Sequence, residues 1–353
     1  MPQIAIIGAT TWGMTLGSIL AHKGLQVRLW ARTEQEATEL KTSGHNPPPP
    51  VDIAVSTGLS VTSSLSEALK GAKAVILAIP SQTMRWNIRL VSEYLDESTL
   101  VVSAAKGLEV GSGKRMTQVI AEEINPDFWS NICVLSGPNL SREILEHLPA
   151  ATVVAAESEM VARTAQKLLT APDLCAYHNT DVIGVELGGA LKNIIALAAG
   201  VADGLGYGDN AKAALITRGL AEITALGVAL GANPLTFAGL AGLGDLVATC
   251  SSPLSRNHYV GVELARGRQL EEITDSMGNV AEGVSTTRAT WELAQQLGVE
   301  MPVTEKMYEI LYQGVDPRQA AVDLMGAQAR HELAGRRWKL FSLFRHKNHI
   351  RTT

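Results

Sequence analysis

Lys192 stands in the largely apolar run Gly184-Val185-Glu186-Leu187-Gly188-Gly189-Ala190-Leu191-Lys192-Asn193, with Gly188 and Gly189 one turn earlier on the same helical face. An amine drawn into such a setting loses hydration, which lowers its pKa toward the range of a useful general acid. The two missing side chains leave room for a ligand beside it. The competing reading is a lysine that snorkels to the surface from an amphipathic helix. Further along, Gly239-Leu240-Ala241-Gly242-Leu243-Gly244-Asp245 is a glycine-rich loop leading to a carboxylate, suited to orient the amine or a substrate hydroxyl. Ser255-Arg256-Asn257 reads as a helix start capped by Ser255, and an arginine at a helix N-terminus is a ready phosphate site. Taken alone, that tripeptide is an ordinary cap with a solvated arginine.

A second group of residues points to a nucleotide. The apolar strand Ile4–Ile7 runs into Gly8-Ala9-Thr10-Thr11-Trp12-Gly13 and then a helix. A dinucleotide fold needs glycine first for the tight turn, second for close pyrophosphate approach and third for helix-on-strand packing. Gly8 and Gly13 fill the first and third places; Thr10 takes the second, where its Cβ is expected to push the pyrophosphate outward or shift the backbone. After the next strand comes Leu29-Trp30-Ala31-Arg32 rather than a ribose-binding acid. A carboxylate repels a 2′-phosphate, whereas Arg32 can grip it, so NADP(H) is the preferred cofactor, with NAD(H) as the alternative. The bland reading of Arg32 is a solvated residue at a helix start.

These residues require particular elements to hold them. Candidate strands are Ile4–Ile7, Val27–Trp30, Ala74–Ile79, Thr99–Ser103, Ile132–Leu135 and Thr152–Ala155, β-branched and almost continuously apolar. That pattern predicts strands buried on both faces of a parallel sheet, with amphipathic segments such as Gly13–Lys23 and Gly113–Ile124 between them. Ala78-Ile79-Pro80-Ser81 and Ala104-Ala105-Lys106-Gly107-Leu108 follow two of the strands, at the edge where open α/β sheets bind ligands. Ser136-Gly137-Pro138-Asn139 follows a third and opens a helix, offering N–H groups to an anion. From about Asp181 the chain turns rich in Ala, Leu and Gly with helical periodicity. The expected fold is α/β: a Rossmann-like, doubly wound parallel sheet in residues 1–180, an all-helical substrate domain in 181–332, and a basic aromatic tail in 333–353.

Composition narrows the function. With 353 residues, 46% hydrophobic and 18% charged, the chain is long enough for two folded domains. Cys133, Cys175 and Cys250 show neither disulfide nor metal-ligand spacing, which predicts a reducing compartment and no metal. The apolar stretch from Ile183 to Ala202 contains Glu186, Lys192 and Asn193 and reads as a buried helix rather than a membrane span. The N-terminus enters a strand at once and shows no signal peptide. The net charge of −5 is uneven: six Lys/Arg and no acid lie in residues 336–353, leaving 24 basic and 35 acidic residues elsewhere. An acidic body excludes nucleic acid as a natural partner, so an anionic substrate must be held by a few local cations.

The runs 184–193, Asp203-Gly204-Leu205-Gly206-Tyr207-Gly208-Asp209-Asn210, Ala241-Gly242-Leu243-Gly244-Asp245-Leu246 and Ser255-Arg256-Asn257 resemble the bacterial NAD(P)-dependent glycerol-3-phosphate dehydrogenase family. The resemblance covers roughly residues 3–332 and implies an enzyme that interconverts dihydroxyacetone phosphate and sn-glycerol 3-phosphate. It also implies a cytoplasmic setting, a homodimer and a place at the start of phospholipid synthesis. By the same resemblance Lys192 transfers the proton, with Lys106 assisting. Lys106, Gly137, Asn139, Asp245, Ser255, Arg256 and Asn257 hold the substrate. Gly8, Gly13, Thr11, Trp12, Arg32, Lys106, Ser141, Arg256 and Glu282 serve the cofactor, and Val280 touches it through its backbone.

Three features depart from the family: Thr10 where glycine is usual, the residues from Pro47–Pro50 onward, and the tail after Gly335. In that tail Trp338, Phe341, Phe344 and Arg345 fall on one helical stripe among cations, as in a weak peripheral membrane anchor; the plainer reading is a basic terminus that packs on a neighbouring subunit or stays disordered. Two other functions share the general pattern. One is a ketopantoate or 3-hydroxyacid reductase, which lacks a phosphate site. The other is a non-catalytic NADP-binding sensor, against which Lys106, Lys192 and Asp245 argue together.

Overall fold

The computed structural model describes residues 3–43, 58–277 and 280–326; the Pro47–Pro50 run and the tail 336–353 lie outside the described residues. Eight strands form one sheet: β1 (Gln3–Ile7), β2 (Gln26–Trp30), β3 (Leu59–Thr62), β4 (Ala72–Leu77), β5 (Leu100–Ser103), β6 (Ile132–Ser136), β7 (Ala150–Ala155) and β8 (Leu174–Asn179). Between and beside them run α1 (Thr11–His22), α2 (Glu34–Ser43), α3 (Leu65–Leu69), α4 (Met84–Ser92), α5 (Met116–Glu123), α6 (Ser141–Leu145) and α7 (Glu159–Leu169).

The spatial order is β3-β2-β1-β4-β5-β6-β7-β8, so the direction of winding reverses between β1 and β4. Alternate residues of β1 explain the layering. Ile4 and Ile6 join the apolar layer that includes Met14, Leu16 and Leu20 of α1, while Ala5 and Ile7 join Met84, Ile88 and Val119 on the other face. A strand apolar at every position is what a sheet covered on both sides requires.

The sheet is not wholly parallel. β7 pairs antiparallel with β6, and β8 then runs parallel to β7, an exception within the expected doubly wound, mostly parallel sheet. Continuous apolarity signals burial on both faces but says nothing of strand direction. β3 and β8 escaped the sequence reading for a related reason. β3 is four residues long and half polar, and β8 is an edge strand that exposes Cys175 and Tyr177.

Past β8 the described chain is helical: α8 (Val182–Gly204), α9 (Asp209–Ala229), α10 (Asp245–Ser251), α11 (Arg256–Ala265), α12 (Leu270–Asp275), α13 (Glu282–Leu297), α14 (Pro302–Gln313) and α15 (Pro317–Gly326). Asp181 caps α8 by accepting from the Gly184 N–H. This helix is long and apolar enough to cross a membrane, yet 89% of its most apolar window is buried inside the protein. It is the central rod of a second core, wrapped by α9, α10, α11 and α13. A helix apolar all round must be enclosed, and here protein encloses it.

Candidate active site between the sheet edge and the central helix

Lys192 lies midway along α8 and is only 7% exposed. Its ammonium donates to the Asp245 carboxylate and to the Thr249 hydroxyl. The second Asp245 oxygen accepts from Lys106 Nζ at 2.7 Å, and Lys106 also donates to the Gly137 carbonyl at 2.7 Å. One buried carboxylate therefore holds two ammonium groups, one from the β5 edge of the sheet and one from the helical core. Burial lowers the Lys192 pKa to about 8; the Asp245 charge offsets part of that and the Lys106 charge adds to it.

The glycines beside Lys192 act differently from the expectation. A Cβ on Gly188 would lie 2.4 Å from the Ala241 carbonyl oxygen, and one on Gly189 would lie 2.1 Å from Ser136 Oγ. The space left by the missing side chains is filled by protein: the glycine-rich loop 239–244 on one side and the end of β6 on the other. Gly188 lets the backbone of the loop that leads to Asp245 lie against α8, and Gly189 leaves room for the Ser136 side chain and the Lys106 stem. Thr249, which the sequence reading did not single out, sits one turn after Asp245 in α10; that i, i+4 spacing was the available signal.

Asparagines join this cluster to the start of α11. Asn193 Nδ2 donates to the Lys106 carbonyl at 3.2 Å, and Asn193 Oδ1 accepts from Asn257 Nδ2 at 2.9 Å. Asn257 Oδ1 in turn accepts the Gly283 N–H at 2.9 Å. Ser255 caps α11, its hydroxyl accepting from His258 N–H at 3.2 Å, and Arg256 is the first helical residue. Asn139 donates to Thr152 Oγ1 at 3.1 Å while its buried Oδ1 has no partner among the described residues.

At the cofactor edge, Gly8 has φ +109, and a Cβ there would meet the Ala78 carbonyl at 2.7 Å. The turn out of β1 is thus wedged against the end of β4, at the point where the winding reverses. Gly13 allows α1 to pass the Gly8 carbonyl, which a Cβ would approach to 2.1 Å. Thr10 turns its hydroxyl into the fold, donating to the Ala78 carbonyl at 2.8 Å and accepting from the Gly13 N–H at 3.1 Å. It caps α1 and ties that helix to β4, a use of the second glycine place that the motif alone does not suggest. Thr11 and Trp12 form the first turn of α1, and Trp12 packs partly on the sheet's apolar layer.

Arg32 follows β2 and is exposed, with no side-chain hydrogen bond among the described residues; its backbone N–H donates to Glu36 Oε2 at 2.8 Å. Glu282 opens α13 and is held by Ser81, through the backbone N–H at 2.8 Å and through the hydroxyl. Burial raises the Glu282 pKa against the pull of the Ser81 donors and of the nearby Arg256 charge. Ser141 starts the short helix α6, and Val280 lies two residues before Glu282 and is 53% exposed. The structure thus brings Lys106, Gly137, Lys192 and Asp245 into direct contact, links Asn257 to them through Asn193, and pairs Glu282 with Ser81. Arg32, Ser141 and Val280 stand outside that hydrogen-bonded set. Among the described residues no group of His, Cys, Asp and Glu could hold a metal ion.

Known proteins resemble this chain over both of its halves. The N-terminal model of the NAD-dependent glycerol-3-phosphate dehydrogenases matches residues 3–162 and the C-terminal model matches residues 181–322. A glycerol-3-phosphate dehydrogenase [NAD(P)+] of Dehalococcoides mccartyi is 62% identical, over 100% of this chain and 98% of its own length. One from Moorella thermoacetica is 47% identical over 95% of this chain and 99% of its own. The crystal structure of glycerol-3-phosphate dehydrogenase from Coxiella burnetii superposes with a TM-score of 0.84 at 35% identity, covering 92% of this chain and 98% of that one. A ketopantoate reductase from Ralstonia eutropha shares the fold alone, at 14% identity and a TM-score of 0.55. With both halves of the chain matched and relatives of 62% and 47% identity along nearly its whole length, the chain belongs to the NAD-dependent glycerol-3-phosphate dehydrogenase family.

Proposed function

We propose that this chain interconverts dihydroxyacetone phosphate and sn-glycerol 3-phosphate, using NADP(H) in preference to NAD(H). The observation that carries the reading is the Lys106–Asp245–Lys192 bridge, which sets a proton-bearing amine between the sheet's ligand edge and the capped start of α11.

The cofactor fits the residues present. The Gly8 turn has no room for a side chain, the first turn of α1 leaves the Thr11 and Trp12 amides without intrahelical partners, and Arg32 is an exposed cation beyond β2. When bound, the nicotinamide supplies or accepts hydride. The α1 amides, with Gly8, Gly13, Thr11 and Trp12, would hold the pyrophosphate, and Arg32 would grip the 2′-phosphate. Ser141, Val280, Glu282, Lys106 and Arg256 would make its further contacts.

The substrate phosphate lies toward Arg256 and the Ser255–Asn257 helix start, and Gly137 and Asn139 help to hold the substrate. As the ketone is reduced, negative charge grows on its oxygen. Protonated Lys192 stabilises that oxygen and donates its proton; in the reverse direction the neutral amine accepts one. Asp245 holds both amines in place and keeps Lys192 from losing its proton more readily. Residues 1–180 and 181–332 act as nucleotide and substrate domains in a cytoplasmic homodimer. The tail 333–353, outside the described residues, supplies at most a weak contact with anionic membranes, which co-sedimentation of full-length chain and residues 1–335 with liposomes tests.

The decisive assay follows NADPH absorbance with dihydroxyacetone phosphate, with ketopantoate and with other carboxylated ketones. Oxidation with the phosphorylated ketone alone is expected. Turnover of a carboxylated ketone alone would move the chain to another reductase class, and binding of NADPH with no turnover would make it a sensor.

A further inference from the structure

The run Asp203-Gly204-Leu205-Gly206-Tyr207-Gly208-Asp209-Asn210 has no part in the site described above. It forms the last residues of α8, a tight turn in which Gly206 has φ +77, and the start of α9. Asp203 Oδ2 accepts from Lys212 Nζ of α9 at 2.8 Å and pairs with His258 Nε2 of α11 at 2.7 Å. His258 directly follows Arg256 and Asn257, and it is the residue whose N–H Ser255 caps.

Helices α8 and α11 cross here backbone against backbone. A Cβ on Gly200 would lie 2.0 Å from the His258 carbonyl oxygen, one on Gly261 would lie 2.0 Å from the Leu197 carbonyl oxygen, and one on Gly204 would lie 2.8 Å from the Val262 carbonyl oxygen. Glycine faces fix the distance between two helices but offer few ridges to hold them against sliding. Polar contacts then add to the register. Asn193–Asn257 supplies one at the site and Asp203–His258 supplies the other beyond the crossing point.

We propose that Asp203 is a positioning residue: through His258 it fixes the phosphate-holding first turn of α11 relative to Lys192 on α8. This rests on the phosphorylated-ketone reading above. The proposal separates the two ends of the substrate. The phosphate end depends on Asp203, while the proton-transfer end, which is held by Asp245 and Thr249, does not.

The test is Asp203→Asn in the full-length chain, assayed with dihydroxyacetone phosphate and with unphosphorylated dihydroxyacetone, beside inhibition by inorganic phosphate. The expected result is a rise of about tenfold in KM for the phosphorylated ketone and a matching weakening of phosphate inhibition, with kcat changed less than about threefold. For dihydroxyacetone, kcat/KM should stay within about twofold. His258→Gln, which replaces the ring by an uncharged amide, should follow the same split if Asp203→Asn proves poorly folded. Equal losses on both ketones, or an unchanged KM for dihydroxyacetone phosphate, would overturn the proposal. A wild-type enzyme inactive on dihydroxyacetone phosphate would instead sink the functional reading itself.

Discussion

The two ends of the site are built in opposite ways. The turn at the nucleotide end is local: Gly8, Thr10, Thr11, Trp12 and Gly13 are neighbours in sequence, and what they offer is mainly backbone, a tight turn and a helix N-terminus. The proton-transfer end is assembled from afar. Lys106, Asp245 and Lys192 come from β5's loop, α10 and α8, and they interact through charged side chains that water barely reaches. Backbone-built sites tolerate side-chain changes, whereas a buried charge cluster fails when one member is removed, because the others stay desolvated without their partner.

That contrast ranks the expected effects of mutation. Asp245→Ala leaves two ammonium groups facing one another in a dry site. It should cost about 3–5 kcal/mol of stability, read by urea unfolding, as well as activity. A loss under about 1 kcal/mol would show that the pair is better hydrated than its burial implies.

Next comes Lys192→Ala, which should lower kcat by at least about two orders of magnitude while leaving NADPH affinity nearly unchanged. Near-intact turnover would remove the amine from the mechanism. Its pKa of about 8 also sets a pH signature. Ketone reduction needs the protonated amine, so kcat should be level below that pH and fall above it, while alcohol oxidation should rise through the same pH. Because Asp245 raises the Lys192 pKa, any residual activity in Asp245→Asn should show its limb at lower pH.

At the nucleotide end the effects shrink. Arg32→Ala should reduce the preference for NADPH over NADH by about tenfold, the worth of one charge-assisted contact. An unchanged ratio of kcat/KM for the two cofactors would assign 2′-phosphate recognition elsewhere. Smallest is Thr10. Thr10→Ala should lower stability by about 1 kcal/mol through the lost cap, and Thr10→Gly by only a few tenths. Cofactor affinity should hardly move in Thr10→Gly. A tenfold gain would instead mean that the threonine crowds the pyrophosphate, and the nucleotide end would then be less purely backbone-built than it looks.

Much of this molecule is legible in order along the chain. The six strands read from apolar runs are β1, β2, β4, β5, β6 and β7, because burial on both faces leaves a continuous signature. The capped starts of α8 and α11 are equally local, since Asp181 and Ser255 each bond to a backbone N–H three residues on. The exposed edge strand β8, the short β3 and the antiparallel turn of β7 leave weak or no marks at that scale. Gly188 and Gly189 show the limit most clearly. Missing side chains announce close approach, but the sequence around them does not say whether a ligand or another part of the protein approaches.

What the sequence alone determined was chemical inventory and local form: an amine in an apolar helix, a carboxylate after a glycine loop, an arginine at a helix start, and a strand–turn–helix for a nucleotide. Periodicity, capping and turn geometry act over a few residues, so they can be read there. Only the tertiary structure decided that Asp245 serves two lysines, that Thr249 completes the amine's shell, and that Thr10 faces inward. Those facts depend on how closely helices and strand ends pack, and that distance is set by contacts between residues more than fifty positions apart.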